Sequence, residues 1–173
     1  MIRVIKHNKD FAPIVKGVSS VLIAFDYEPF VDIDENGNHI ETEYGVWSEH
    51  VFTKIPSFGQ LKQFILSEIN KRTDEKILSG FEWNGMSVWL SSENQFNYKA
   101  AFDLAVQTNG ANLPTVFKFG DTENPVYYKF DTLEELQDFY MKAMTYINEQ
   151  LAIGWAKKDA IDWSVYEKAL AEL

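Results

Sequence analysis

The first 56 residues alternate apolar and polar positions in short runs, a pattern typical of β-strands. Val18–Phe25 is apolar and rich in β-branched residues, as a buried strand requires. Asn36-Gly37 is a strong hairpin signal, because both residue types tolerate a positive φ. A short strand before this hairpin and a return strand over Ile40–Phe52 complete the predicted β-rich region, which closes at Pro56.

Three later segments change to the three-to-four-residue spacing of amphipathic helices, and each begins with a capping box. The boxes are Ser57 with Gln60, Ser92 with Gln95, and Thr132 with Glu135. They predict helices over residues 57–79, over residues 92–107, and from residue 132 to Gly154, where glycine is expected to stop the longest helix. Asp162 is expected to cap a short final helix.

Two further hairpins are predicted between these helices. The first turns at Asn84-Gly85, and the second joins Thr115–Phe119 to Val126–Phe130. The order hairpin, capping box, helix thus occurs three times. We therefore predict an α+β protein with an N-terminal β-hairpin region, residues 1–56, followed by an α+β C-terminal domain, residues 57–173, in which two small hairpins accompany the helices.

The composition favours a folded core and removes several classes of function. Of the 173 residues, 46% are hydrophobic and none is cysteine, so disulfides, zinc–thiolate sites and thiol catalysis are excluded. The net charge of −10 disfavours nucleic-acid binding, which needs clustered Lys and Arg. The chain has no long apolar run and no recognisable signal peptide, so we expect neither membrane insertion nor secretion.

One stretch matches a metal-binding pattern. Asp32–Glu43, DIDENGNHIETE, has acidic or amide residues at positions 1, 3 and 5, Gly at 6 and Glu at 12, as in an EF-hand calcium loop. The flanking segments are poor helices, with Pro29 before and Gly45 after, and position 8 is His39 instead of an apolar residue. We therefore interpret it as a polar hairpin whose acids share one face, and we predict no metal ligand and no cofactor. A weak cation site at its acidic tip is the alternative.

The sequence contains no recognisable catalytic arrangement. His7, His39 and His50 have no partner motif, and serine-hydrolase, zinc-protease, phosphate-loop and dinucleotide-binding patterns are missing. Carboxylate pairs of the kind that glycosidases use are expected by chance among 26 acidic residues. We therefore predict no catalytic residue and no enzymatic activity, with an enzyme of unrecognised class as an alternative.

Tryptophans and one helical stripe are the remaining candidates for contacts. Trp83 and Trp89 lie in the second hairpin, where they either pack in the core or form an exposed platform for a glycan or a peptide. The stripe is expected to pack against the protein's own helices, with an oligomeric seam as the alternative. It consists of Leu133, Leu136, Tyr140, Ala143, Ile147 and Leu151.

A series of short motifs runs through the last two-thirds of the chain. It comprises Ile69, Asn70, Asp74, Ile77, Gly80 and Phe81, then Ser92–Asn97, then Thr132–Leu151. In this order, over residues 57–165, the motifs resemble an uncharacterised domain family of phage and prophage tail and tail-fibre assembly proteins. The resemblance implies a role in tail structure or assembly, in the bacterial cytoplasm or the virion, and it transfers no catalytic residue.

The preferred function is therefore a non-enzymatic phage or prophage tail-associated structural or assembly protein. Its expected partners are proteins, including tail or tail-fibre components and further copies of the chain, and neither nucleic acid nor a membrane is expected. A module that binds glycans or peptides through exposed aromatic residues is the first alternative.

Overall fold

The computed structural model of the protein describes the backbone of residues 3–7 and 12–173, and the side chains of residues 12–26, 33–39 and 52–173. The elements follow in the order β1 (Arg3–His7), β2 (Ile14–Lys16), β3 (Val21–Ile33), β4 (His39–Phe52), α1 (Phe58–Ser79), β5 (Phe81–Trp83), β6 (Met86–Val88), α2 (Ser92–Gln107), β7 (Thr115–Gly120), β8 (Pro125–Phe130), α3 (Leu133–Asp159) and α4 (Trp163–Ala171). The predicted α+β class is confirmed. Within the described residues, no helix is long and apolar enough to cross a membrane.

The chain divides into two compact units. Unit 1 comprises Met1–Ile69 and Lys157–Leu173, and unit 2 comprises Asn70–Ala156. Helices α1 and α3 therefore each contribute residues to both units. These two units are not divided at Pro56, and the organisation into a β-rich region, residues 1–56, and a C-terminal domain, residues 57–173, stays a prediction.

Unit 1 contains an antiparallel sheet of strand order β1-β4-β3-β2. The predicted hairpin at Asn36-Gly37 is confirmed, and Gly37 has the positive φ of 82° that this turn requires. The register across this hairpin pairs Ile33 with His39. Strand β3 begins three residues later than predicted, because Val18 lies in an exposed bend.

The core of unit 1 forms where strands β2 and β3 supply apolar residues to helices α1 and α4. Phe25 contacts Phe64 edge-to-face, with ring centroids 5.8 Å apart. The Tyr166 hydroxyl donates a hydrogen bond of 2.8 Å to the buried Ala24 carbonyl, which ties α4 to β3. The buried members are Ile14, Val21, Ile23, Phe25, Leu61, Ile65, Ile69 and Tyr166.

Unit 2 packs the hairpins β5–β6 and β7–β8 with α2 and α3 around an aromatic core. The α3 stripe faces this core: Leu136 and Ala143 are buried, and the other four members are half-buried against the same cluster. The stripe is therefore used inside unit 2, as expected. The buried aromatic residues of this core are Phe81, Trp83, Tyr98, Phe119, Phe130 and Phe139.

Two predicted helix ends are wrong. Helix α2 is capped by Ser91, whose hydroxyl accepts a hydrogen bond of 3.2 Å from the Asn94 N–H, and not by Ser92. Helix α3 continues past Gly154 to Asp159. Gly154 is buried, and a Cβ atom there would lie 2.5 Å from the Thr73 hydroxyl, so glycine permits a close approach of α1 and α3 instead of ending the helix.

The other caps follow the prediction. Ser57 and Gln60 form the full capping box, because each backbone N–H donates to the other side chain. The Glu135 N–H donates to the Thr132 hydroxyl at the start of α3. Asp162 caps α4 by accepting from the Ser164 N–H.

Candidate functional site

The two tryptophans of the second hairpin have opposite environments. Trp83 is 2% exposed and its ring lies edge-on to Tyr128, with centroids 4.9 Å apart. Its indole N–H donates a hydrogen bond of 3.0 Å to Asp138. Trp89 is 51% exposed. The aromatic platform is therefore excluded for Trp83 and remains open for Trp89.

Trp89 lies at a groove of about 590 Å³ in unit 2. Strand β6 ends with Val88 buried in the core, so Trp89 follows on the solvent side. The remaining lining is mostly polar and comes from the end of α1, from β6, from the start of α2, and from β7 with the turn that follows it. It consists of Ser79, Ser87, Asn94, Lys118, Gly120, Asp121 and Thr122, together with Val88. We call this feature the Trp89 groove.

The polar lining of the Trp89 groove contains groups that support the fold and groups that remain available. Asn94 donates to the Trp89 carbonyl at 2.8 Å, and Ser79 donates to the Glu75 carbonyl at 3.0 Å. The side chains of Ser87, Lys118 and Thr122 have no hydrogen-bond partner within the described part of the chain. These three side chains can therefore bind a ligand without breaking a contact of the protein.

Asp121 belongs to the supporting group. Its carboxylate accepts hydrogen bonds from the Glu123 and Asn124 N–H groups, at 2.8 and 2.7 Å. Hydrogen bonds from the Asn124 backbone, then from its side chain, hold the pKa of Asp121 below its usual value. The carboxylate therefore stabilises the β7–β8 turn, and the N–H groups that donate to it stabilise its negative charge.

Unit 1 contains a second cavity, of about 340 Å³, beside an ion pair whose carboxylate is buried. Asp26, whose side chain is 5% exposed, lies 2.8 Å from the Lys157 ammonium. Asp26 has a left-handed φ of 56° at a register shift of β3. A buried carboxylate needs such a partner, and apolar Phe25, Ile69 and Val165 dominate the surrounding wall.

The EF-hand-like stretch forms a closed turn. Asp34 accepts hydrogen bonds from the Asn36 and Asn38 N–H groups, at 2.9 and 2.8 Å. Hydrogen bonds from the backbone and side chain of Asn38 are the main reason that the pKa of Asp34 is lowered. Within the described residues, no three His, Asp or Glu side chains could hold a metal ion. The polar hairpin is thus confirmed, while the predicted lack of a metal stays a prediction.

Several candidate residues of this stretch and the strands around it fall outside the described side chains. These are His7, His50, Asp32, Glu41 and Glu43. The acidic face that was predicted for the β3–β4 hairpin therefore stays a prediction. His39 is exposed.

An apolar segment near the end of α3 is the other notable surface. Between Glu149 and Lys157 the chain carries no charged residue. Ile153 and Trp155 are 45% and 57% exposed, and the two alanines beside them, Ala152 and Ala156, are exposed as well. We call these four side chains the α3 patch.

Sequence reasoning missed the Asp26–Lys157 pair and most of the Trp89 groove. The paired residues are far apart in the chain, and Lys157 lies in a helix that was expected to end at Gly154. The groove combines residues from four elements whose relative placement no local pattern encodes. The α3 patch was detectable, because residues 150–156 carry no charge and include Ile153 and Trp155.

The comparisons with known proteins give one match. A family model described as a domain of unknown function (DUF4376) matches residues 60–172, which run from α1 to the end of α4. No curated protein and no solved structure matches the chain. The match confirms that this part of the chain is an uncharacterised domain, over residues 60–172 where residues 57–165 were expected.

Proposed function

The chain belongs to the DUF4376 family, and on that premise we propose that it is a non-enzymatic, phage- or prophage-encoded tail-associated protein that acts in tail structure or assembly through protein–protein contacts. The ordered motifs over residues 57–165 support the link to tails. The α3 patch supports the mode of action, because it offers a surface suited to a protein partner.

The residues that carry the resemblance contribute to packing. Ile77 and Phe81 are buried in the core of unit 2, and Ile69 is buried in the core of unit 1. A Cβ at Gly80 would collide with the Tyr146 hydroxyl. The buried members of the motifs therefore stabilise the fold, which agrees with a structural or assembly role.

The α3 patch is the single observation that favours protein contacts most. Ile153 and Trp155 lie on the outer side of the helix, while Gly154 between them is buried. Contiguous exposed apolar surface is characteristic of interaction sites in otherwise polar proteins. Tryptophan is the residue most often found as an energetic anchor of interfaces. A tail component with a complementary apolar surface would remove these side chains from water.

Deletion and complementation of the gene in its own host test this function. We expect electron microscopy to show few complete tails after deletion, and wild-type chain to restore them. Ile153→Asp should fail to restore them, because a carboxylate in the α3 patch would be desolvated at the interface. Met141→Asp is the matched control, since Met141 is exposed on the same helix outside the patch.

Circular dichroism of the purified variants separates loss of contact from loss of fold, and Trp155→Ala repeats the test without adding a charge. Normal tail numbers after deletion would overturn the tail role. Equal complementation by Ile153→Asp, Trp155→Ala and Met141→Asp would overturn the assignment of the contact to the α3 patch. The neighbouring genes give an independent check, because a metabolic operon contradicts the proposal and a tail cluster supports it.

A further inference from the structure

The Trp89 groove has a composition that the assembly role neither requires nor explains. We propose that it is a glycan-binding site, in which a sugar ring stacks on the Trp89 indole and sugar hydroxyls bond to Ser87, Thr122 and Lys118. The site lies on different residues from the α3 patch and goes beyond the proposed tail function.

Hydrogen bonds and buried neighbouring residues hold the backbone around Trp89 in place. Asn94 donates to the Trp89 carbonyl at 2.8 Å, and Gln95 donates to the Leu90 carbonyl at 2.7 Å. Val88 and Leu90 on either side are each 1% exposed. The first turn of α2 therefore fixes the backbone that carries the half-exposed ring, which reduces the conformational entropy lost on binding.

The groove offers the two kinds of contact that a sugar needs. A pyranose ring has a face of C–H groups, whose positive hydrogens are attracted to the negative face of an indole. Its hydroxyls both donate and accept hydrogen bonds around the rim. Ser87 and Thr122 supply hydroxyls, and Lys118 supplies three donors. A volume of about 590 Å³ falls in the range typical of small-molecule sites.

Other ligand classes fit these residues less well. A nucleic acid would stack on the ring, but its phosphates would meet a protein of net charge −10. A peptide that binds by strand addition is recognised mainly through its backbone, while the exposed Trp89 ring and the three available side chains match the C–H faces and hydroxyls of a sugar. A single aromatic ring in such polar surroundings matches a glycan.

Isothermal titration calorimetry and tryptophan fluorescence on the full chain test the proposal. The probes are maltohexaose, cellohexaose, chitohexaose, a hyaluronan hexasaccharide and the delipidated polysaccharide of bacterial lipopolysaccharide. We expect saturable binding of at least one probe, with a change in fluorescence. Trp89→Ala should weaken that binding about tenfold or more, the loss typical of an aromatic anchor. Trp89→Tyr should retain part of it, because it keeps a ring for stacking.

Phe96→Ala is the matched control. Phe96 is an exposed aromatic of unit 2 that does not line the groove, so its removal should change affinity less than about twofold. Ser87→Ala should weaken binding without altering the far-UV circular dichroism. The proposal is overturned if no probe binds, if Trp89→Ala binds as tightly as the wild type, or if an unbiased peptide library selects Trp89-dependent peptides while the glycans fail.

Discussion

Replacing Gly154 with alanine should destabilise unit 2, although alanine is the better helix former. Gly154 lies inside α3, where glycine costs about 1 kcal/mol relative to alanine. Propensity alone therefore predicts a gain. The tertiary structure predicts a loss, because the new Cβ would lie 2.5 Å from Thr73 Oγ1, 3.2 Å from its Cγ2 and 3.4 Å from its Cβ.

The geometry of Thr73 decides which effect prevails. Threonine is β-branched and has few χ1 rotamers in a helix, and two of its side-chain atoms, Oγ1 and Cγ2, lie closer to the new Cβ than an ordinary contact. The two helices must then move apart, and overpacking of this kind costs roughly 1–3 kcal/mol. After the propensity gain of about 1 kcal/mol is subtracted, we expect Gly154→Ala to lower the free energy of unfolding by up to about 2 kcal/mol.

The assay is urea unfolding followed by far-UV circular dichroism, together with hydrogen exchange of the α3 amides, which reports on the unit that contains Gly154. A double-mutant cycle with Thr73→Ala should give a favourable coupling of at least about 1 kcal/mol, because the smaller side chain makes room for the methyl group. Gly59→Ala is the control: Gly59 lies in α1 with nothing within 4 Å of its Cβ position, so stability should stay equal or rise. The reasoning is refuted if Gly154→Ala is at least as stable as the wild type, or if the cycle shows no coupling.

Three further predictions concern unit 1. Tyr166→Phe should cost about 1–2 kcal/mol in urea unfolding, because the buried Ala24 carbonyl loses the hydroxyl donor and gains none; an unchanged midpoint would contradict this. Asp162→Ala should cost about 1 kcal/mol by removing the α4 cap, visible as faster amide exchange in α4. The carboxyl pKa of Asp34, measured by NMR, should lie below 3.8, and Asn38→Ala should move it toward 3.8 because a side-chain hydrogen bond is lost. Because the pKa of Asp34 is lower in the folded state, its ionised carboxylate stabilises the turn at pH values above the unfolded pKa. This stabilisation is lost as the pH falls through the folded pKa.

Short-range features were readable from the sequence because their physics is local. The turns at Asn36-Gly37 and Asn84-Gly85 need residues that tolerate a positive φ, and only a few residue types do so. The interpretation of the EF-hand-like stretch as a hairpin also depends on local features, because the segments that flank it lack helix-forming residues. A capping box likewise depends on two side chains within four positions.

Helix ends were less predictable where two neighbouring residues could each act as the cap, or where a residue typical of a helix end has another role. Ser91 and Ser92 are neighbouring residues of the same type, and the folded chain uses Ser91 as the cap. Gly154 illustrates the larger effect. Its sequence context resembles a helix stop, while the approach of Thr73, 81 positions earlier in the chain, gives it another role.

The sequence by itself determined the α+β class, the hairpin turns and the helical stripe that packs on the core of unit 2, because the patterns that indicate them are local in the chain. Only the tertiary structure decided which tryptophan is buried. Trp83 and Trp89 both lie in β-hairpin surroundings, and the difference arises because Tyr128, Phe130 and Phe139 enclose one ring while none of them contacts the other. The same holds for the Asp26–Lys157 pair and for the Trp89 groove. Their members come from distant elements, and only the packing of those elements places them together.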